Sequence, residues 1–321
     1  MSVKKIGLLT SGGDSPGMNA AIRAVVRSSL FNGLEVVGVM RGYDGLIDED
    51  LTALNHRSVS NIINRGGTIL KTARSPRFLT EEGQRKAVET LKKNHIDALI
   101  VIGGDGSYRG ADVLFRQWGI PSMGLPGTID NDLCGTDQTI GYRTAVNTAL
   151  EAIDKIRDTA HSMERIFIVE VMGHTSGYIA LEVALGCGAE EVIIPERSFD
   201  YEALQQDILE GNRKGKISWI IVVAEGAGKA HEISERIHRM TKLETRFVVL
   251  GHIQRGGTPF APDRILGTRL GVACVESVLK GQGGKAVGVL ENNIHLTNLA
   301  QACQTEKLNI DEYYRLIKIL R

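Results

Sequence analysis

The sequence predicts an α/β protein of two doubly wound domains with mostly parallel sheets. Three observations carry this expectation. Ala98–Ile102, a short apolar run bounded by Asp97 and glycines, reads as a strand buried on both faces, and Ile166–Met172 and Trp219–Val223 read as further strands. Segments of helical period alternate with them, as in parallel sheets joined by crossover helices. The 321 residues suffice for two domains of ordinary size, and 37 glycines against 5% aromatics suit many short strand-to-helix loops.

Lys plus Arg equals Asp plus Glu at 38 each. No global field therefore selects nucleic acid or an anionic membrane, and any anion site must be local. No apolar run approaches the ~18 residues of a membrane-spanning helix. The start, Met1-Ser-Val-Lys-Lys5, leads into a strand rather than a cleavable signal, which predicts a cytoplasmic protein. Cys134, Cys187, Cys274 and Cys303 lie far apart without CxxC spacing and read as reduced thiols, not zinc ligands or disulfides.

Taken in order, Lys4–Leu9 forms the first strand and Thr10–Gly17 the loop leaving it. Ser15 is placed to cap, and Pro16 to open, a helix to about Asn32 with Ile22, Val25, Val26, Ser29 and Leu30 on its buried side. Arg23 and Arg27, one turn apart, form either a solvated face or half of an anion site. Val36–Met40 is the second strand, and the loop-rich stretches Asn64–Thr68 and Thr72–Pro76 could overhang the first loop. A helix from Glu81 to about Asn94 starts with acids and ends with Lys92 and Lys93, as the helix dipole prefers. Strand Ala98–Ile102 enters Gly103–Ser107 and a further helix; strand Ile120–Leu125 enters the polar loop Pro126–Asp132. A long amphipathic helix from about Thr139 to Asp158 joins the domains. In the second domain, strands at 166–172, 191–194, 219–223 and 247–250 end in Gly173-His174, Pro195-Glu196, Glu225-Gly226 and Gly251–Gly257. A helix from about Pro262 to Lys280 stopped by Gly281, a strand Ala286–Leu290 and a final helix of about Asp311–Leu320 complete the chain.

In a doubly wound sheet ligands sit beyond the carboxyl ends of the strands, which puts the loops at 103–107 and 126–132 on one edge. Gly103-Gly104-Asp105-Gly106-Ser107 sets nearly side-chain-free backbone beside one carboxylate. Its N–H groups can approach a polyphosphate while Asp105 holds Mg2+. The same residues also suit a plain strand-to-helix turn. Phosphoryl transfer further needs a carboxylate unburdened by metal to take the acceptor hydroxyl's proton, and Asp130 is the candidate, although Thr128–Asp132 equally reads as an Asx-rich turn. Arg74 and the Gly12-Gly13 loop can supply positive charge around the transferring group. If the acceptor carries a phosphate, the strand-end cations Arg165, Arg246, His252 and Arg255 can receive it, or each can be a surface ion-pair partner.

Together TSGGDSPGMNAAIRAVVR, INRGGT, IGGDGSYRGA, GLPGTIDND, GTDQTIG, VEVMG, LGHIQRGG and PDRILG, in order along almost the whole chain, resemble the bacterial ATP-dependent 6-phosphofructokinases. The resemblance implies that fold, with an ATP-binding domain at 1–138 plus about 257–305, a fructose 6-phosphate-binding domain at 139–256, a C-terminal helix in 306–321, and the active site in the cleft between the domains. It implies ATP binding by Gly12, Arg74, Gly104, Asp105, Gly106 and Ser107, with Asp105 on Mg2+. Thr128 and Asp130 would contact fructose 6-phosphate, Asp130 as base, with Arg74 acting in catalysis. Met172, Gly173, His174 and Glu225 would meet the sugar, and His252 and Arg255 its 6-phosphate. Arg165 and Arg246 match arginines donated across a subunit interface, which implies a homotetramer. An effector site for ADP or phosphoenolpyruvate would use Arg23, Arg27, Arg157, Glu190, Lys214 and Lys216.

Relatives that use pyrophosphate carry Asp where Gly106 stands and Lys where Gly127 stands, so both glycines favour ATP. The bacterial enzymes that the chain resembles often carry Arg where His56 stands and Asp where Asn61 stands, and Arg usually follows Met-Gly where this chain has His174. The last exchanges a permanent cation for a side chain whose charge depends on pH. Alternative readings are a kinase of the same fold using pyrophosphate or another sugar phosphate, an NAD or lipid kinase sharing the GGDG element, and a catalytically weak nucleotide- or metabolite-binding regulator.

Overall fold

The computed structural model of the chain describes residues 3–304 and 310–320. In chain order the elements are β1 (Lys5–Thr10), α1 (Met18–Phe31), β2 (Glu35–Val39), α2 (Gly42–Ile47), β3 (Leu51–Leu54), α3 (Glu81–Lys93), β4 (Ala98–Gly103), α4 (Asp105–Trp118), β5 (Ser122–Thr128), β6 (Ile140–Gly141) and α5 (Tyr142–Ser162). They continue with β7 (Ile166–Val171), α6 (Tyr178–Cys187), β8 (Glu191–Ile193), α7 (Tyr201–Arg213), β9 (Trp219–Ala224), α8 (Ala230–Thr241), β10 (Thr245–Val249), α9 (Ala261–Leu279), β11 (Lys285–Leu290), β12 (Asn293–Asn298), α10 (Leu299–Ala302) and α11 (Ile310–Leu320). Among the described residues, those up to Thr144 together with Arg255–Gln304 form one compact unit, and Ala145–Gln254 with α11 form another. The expected boundary at 305–306, and Met1 and Ser2 of the expected approach to β1, lie outside the described residues.

The first unit is built on an eight-stranded sheet in the order β12-β11-β5-β4-β1-β2-β3, with β6 paired to β5. The sheet is parallel except at its two edges, where β3 and β12 run antiparallel to their neighbours. From β1 the chain moves to β2, then returns past β1 to β4. The strand order therefore reverses between β1 and β4, where such a sheet opens a crevice beyond its carboxyl ends. Side chains alternate along β4: Ala98, Ile100 and Ile102 enter the core shared with α1 and α9, while Leu99 and Val101 meet Tyr43, Leu91 and Leu114 on the other face. Helices cover both faces, so the strand reads as an unbroken apolar run, and each large side chain buried there contributes about 1.5–3 kcal/mol.

The second unit has a parallel four-stranded sheet in the order β10-β7-β9-β8. Ile166, Ile168, Ile221 and Val223 pack against Leu204 and Ile208 of α7 and Ile233 and Ile237 of α8. β7 and β9 are buried throughout, whereas the edge strand β10 exposes Arg246, Phe247 and Val249. α11 lies against α6 and β8, where Lys318 pairs with the buried Glu191.

Three local expectations are corrected. Ser15 does not cap α1; the N-cap is Gly17, at φ +107, where a Cβ would stand 2.8 Å from Ile140 Cγ2. β5 runs on through Pro126, Gly127 and Thr128, which the sequence placed in a loop, because Pro126 pairs with Gly103 and the next two residues pair with β6. The long helix consequently begins at Tyr142 rather than Thr139. Gly281 does close α9: at φ +72 its N–H donates to Val278 O (2.9 Å) and that of Gln282 to Ser277 O (3.0 Å), the paired bonds of a Schellman ending.

Candidate active site

Strands β1, β4 and β5 deliver three loops to one edge of the first sheet. Ser11 ties two of them together: its N–H donates to Ile102 O (3.0 Å) and its carbonyl accepts from Ser107 Oγ (3.0 Å). Gly12 takes φ +85, a conformation that glycine adopts without strain. Gly13 lies against the Arg255 guanidinium, 2.2 Å from Nη1 to where a Cβ would be, and Arg255 Nη1 donates to the Asp14 carbonyl (3.2 Å). The segment carrying Arg74 overhangs this loop, with Thr72 Oγ1 donating to Gly12 O (2.8 Å) and Gly12 N–H to Ala73 O (3.5 Å). Arg74 itself is exposed.

α4 starts as soon as β4 ends, with Gly104 as its extended N-cap at φ −91 and ψ −161. Asp105, Gly106 and Ser107 are its first residues, and their amides have no acceptor within the helix. Those N–H groups and the helix dipole form a cradle for an anion. A Cβ on Gly106 would meet nothing within 4 Å, whereas one on Gly127 would strike Ile102 Cγ2 at 2.7 Å and Met18 Cε at 3.0 Å. Packing explains glycine at 127 and leaves glycine at 106 without a reason inside the protein. The half-exposed Asp105 carboxylate pairs with Arg109 one turn on (2.8 Å). Among the described residues no group of three or more His, Cys, Asp or Glu forms a metal cage. One accessible carboxylate beside free helix-start amides is nevertheless a donor set that suits Mg2+ bound together with phosphate and water oxygens.

Thr128 ends β5 and faces Gly104, where a Cβ would lie 3.6 Å from Thr128 Cβ. Asp130 N–H donates to Thr128 Oγ1 (3.2 Å), and that hydroxyl lies 3.4 Å from Asp130 Oδ2. Asn131, in left-handed backbone at φ +52, fixes the loop by accepting from Thr139 N–H (2.8 Å) and donating to Asp137 O (3.2 Å). Asp105 and Asp130 thus follow neighbouring strands. Asp263 anchors the start of the long helix, accepting from the N–H of Gly141 (2.9 Å) and of Thr144 (2.8 Å); burial pushes its carboxyl above the usual range.

In the second unit Met172, Gly173, His174, Glu225 and His252 follow the carboxyl ends of β7, β9 and β10. Glu225 Oε1 accepts from the N–H of Gly173 (3.2 Å) and of His174 (2.9 Å), and the buried Gln254 accepts from Met172 N–H (2.9 Å). His174 sits at φ +54, a left-handed position that histidine tolerates better than most residues. Arg165 and Arg246 lie at the opposite end of this sheet: Arg165 precedes β7, and Arg246 pairs in register with Phe167. The six residues of β7 separate them from Met172 by about 20 Å. Both arginines converge on Glu244, at 3.0 and 2.6 Å, and the hydrogen bond from Arg165 holds that carboxyl below its usual range.

Of the residues expected at an effector site, Arg23 and Arg27 lie on α1 in the first unit, half-buried and exposed respectively. In the second unit Arg157 donates to the carbonyls of Cys187 (2.6 Å) and Gly188 (3.0 Å) at the end of α6. Glu190 accepts from Ile220 N–H (2.6 Å) and pairs with Lys216 (3.1 Å), while Lys214 pairs with Glu210 one turn before it (2.6 Å). Burial pushes the Cys187 thiol up to about 11. His56 and Asn61 are exposed, and Asn61 takes φ +54, again a conformation its side chain tolerates.

Sequence reading did not find Tyr43, Arg109, Glu244 or Gln254. Arg109 carried a signal, four residues beyond Asp105 on a helix. Tyr43, which donates to Ser107 O (2.6 Å), and Gln254 carried none, since tertiary packing alone brings them there.

A family model described as phosphofructokinase matches residues 5–278. The chain is 49% identical to the ATP-dependent 6-phosphofructokinase of Halothermothrix orenii over 99% of each chain, and 54% identical to the ATP-dependent 6-phosphofructokinase 1 of Thermus thermophilus over 95% of each. Among solved structures, phosphofructokinase from Saccharomyces cerevisiae matches 94% of this chain at 38% identity and a TM-score of 0.88; the chain spans 45% of that longer one. The strand-end loops at Gly104–Ser107 and Thr128–Asp130 fall within the matched span, and on these likenesses the chain belongs to the phosphofructokinase family.

Proposed function

We propose that the chain is an ATP-dependent 6-phosphofructokinase, transferring the γ-phosphoryl group of ATP to the 1-hydroxyl of fructose 6-phosphate to give fructose 1,6-bisphosphate and ADP in glycolysis. One observation carries the reading: Asp105 opens an amide-lined helix start while Asp130 stands beyond the neighbouring strand, held in hydrogen bonds with Thr128. The amides of Asp105–Ser107 and the Gly12 loop receive the phosphates. Asp105 would hold Mg2+, which when bound neutralises phosphate charge. Asp130 takes the proton of the 1-hydroxyl as its oxygen bonds to phosphorus and the bond to the ADP oxygen breaks. Thr128 orients that carboxylate, and Arg74 offsets charge on the equatorial oxygens. The open space at Gly106 supports ATP over pyrophosphate as donor.

Met172, Gly173, His174 and Glu225 are assigned to the sugar, and His252 and Arg255 to its 6-phosphate. The position of Arg165 and Arg246, a strand length from Met172, supports the reading that they serve a second copy's site, as in a homotetramer. ADP or phosphoenolpyruvate is the proposed effector at Arg23, Arg27, Arg157, Glu190, Lys214 and Lys216. The first unit is assigned to ATP, the second together with Arg255 of the first to fructose 6-phosphate, and the enzyme to the cytoplasm. Among the described residues no helix is long and apolar enough to cross a membrane. A coupled aldolase assay comparing ATP with pyrophosphate tests the donor. Asp130→Ser should lower kcat by about 10²–10⁴ while sugar phosphate still binds; turnover at the wild-type rate would remove the base assignment.

A further inference from the structure

Arg74, itself exposed, stands on a partly buried segment between Leu70 and a short 3-10 turn, Arg77–Leu79. On its amino side Thr72 and Ala73 are bonded to Gly12. On its carboxyl side the tether is a side chain: Ser75 Oγ donates to Asp44 Oδ1 at 2.5 Å. The same hydroxyl accepts from Phe78 N–H (3.2 Å), so its proton is left for Asp44. Arg77, two residues further on, spans Asp44 (4.0 Å) and Asp48 (2.8 Å). Both tethers therefore end on α2 or on its C-cap.

α2 is firmly seated. Tyr43 is buried, its ring stacks on Phe78 at 4.1 Å, and Gly110 lies so close that a Cβ there would be 2.7 Å from the ring. Its hydroxyl donates to the Ser107 carbonyl at 2.6 Å. This short helix thus touches the segment that carries Arg74 and also the helix start that carries Asp105. We propose that Asp44 is a positioning residue for Arg74: by holding Ser75 it sets where the guanidinium stands relative to the phosphate cradle. The inference rests on Arg74 acting at the transferring phosphoryl group, as read above.

Steady-state kinetics of Asp44→Ala, Asp44→Asn, Ser75→Ala and the double alanine variant test it, with Arg74→Ala as reference. Arg74→Ala should lose about a hundredfold or more in kcat. Asp44→Ala and Ser75→Ala should each lose about tenfold, the scale of a sub-ångström misplacement, with KM for fructose 6-phosphate unchanged. The double variant should be no worse than the poorer single one, because both break one bond. Asparagine keeps an acceptor oxygen for Ser75, so Asp44→Asn should stay within about threefold of wild type. A purely structural role would lower Tm and leave kcat per folded enzyme intact. Retention of kcat within about twofold by Asp44→Ala, alongside a large loss in Arg74→Ala, overturns the inference alone, as do multiplicative losses in the double variant. Full kcat in Arg74→Ala removes the catalytic assignment of Arg74, and the inference with it.

Discussion

Replacing Gly106 with Ala separates a glycine kept for a ligand from one kept for a turn. A Cβ there would meet no protein atom within 4 Å, and the residue is the second of α4 with no left-handed φ. Alanine favours the helix over glycine by up to about 1 kcal/mol and also restricts the unfolded chain, so about 0.5 kcal/mol of added stability is expected at a helix end. For a unit of this size that is a rise in Tm of roughly 1–2 °C. If the γ- and β-phosphates of ATP approach the amides of Gly106 and Ser107, the added methyl stands in their path. Losing one hydrogen bond to a charged group is worth about 1.5–3 kcal/mol, or roughly ten- to hundredfold in KM for MgATP. The two effects have opposite signs, and thermal unfolding without ligand and MgATP saturation at fixed fructose 6-phosphate read them separately. A raised Tm with KM unchanged within twofold would show Gly106 to be an ordinary helix-start residue and would refute the cradle at that position. Gly12→Ala cannot make the distinction, because at φ +85 it should lose about 1–2 kcal/mol of stability for backbone reasons alone.

Glu225→Ala removes the acceptor shared by the amides of Gly173 and His174, so KM for fructose 6-phosphate should rise about tenfold or more with a smaller change in kcat, and Glu225→Gln should fall between. His174→Arg restores a permanent cation at a left-handed position; sugar-phosphate saturation should show a lower KM or a higher kcat, and no change in either would show the position idle. Because Arg165 lowers the folded-state pKa of Glu244, the stabilisation by that pair is present above the ordinary glutamate pKa and lost as pH falls through the depressed one. The Tm difference between wild type and Glu244→Gln should therefore appear at neutral pH, shrink in salt and vanish in strong acid; a difference that persists in acid would assign it to packing.

Much of this architecture could be read before any coordinates, for physical reasons that differ by element. Ala98–Ile102 announced itself because a strand covered on both faces must be apolar at every position, and α3 because its acids and lysines sort to opposite ends. β5 was cut short because proline and glycine usually break strands, and only the neighbouring Gly103 and β6 reveal that Pro126–Thr128 are held in the ladder. The loop at Gly103–Ser107 was legible as a strand-end loop because the apolar run before it marks where β4 stops. Tyr43, Gln254 and Asp44 were not. Each acts through a hydrogen bond to a residue at least 31 positions away, and nothing local distinguishes such a side chain from one turned to solvent.

Two of the three positions that the resemblance singles out as departures, Asn61 and His174, occupy backbone of the unusual hand. Drift at such points is channelled through a small alphabet, because a valine or isoleucine would unbend the loop before its own chemistry could matter. Charge at position 174 is thereby coupled to the shape of its loop, and a library that randomises the position should return folded variants mostly with glycine, asparagine, aspartate or histidine there.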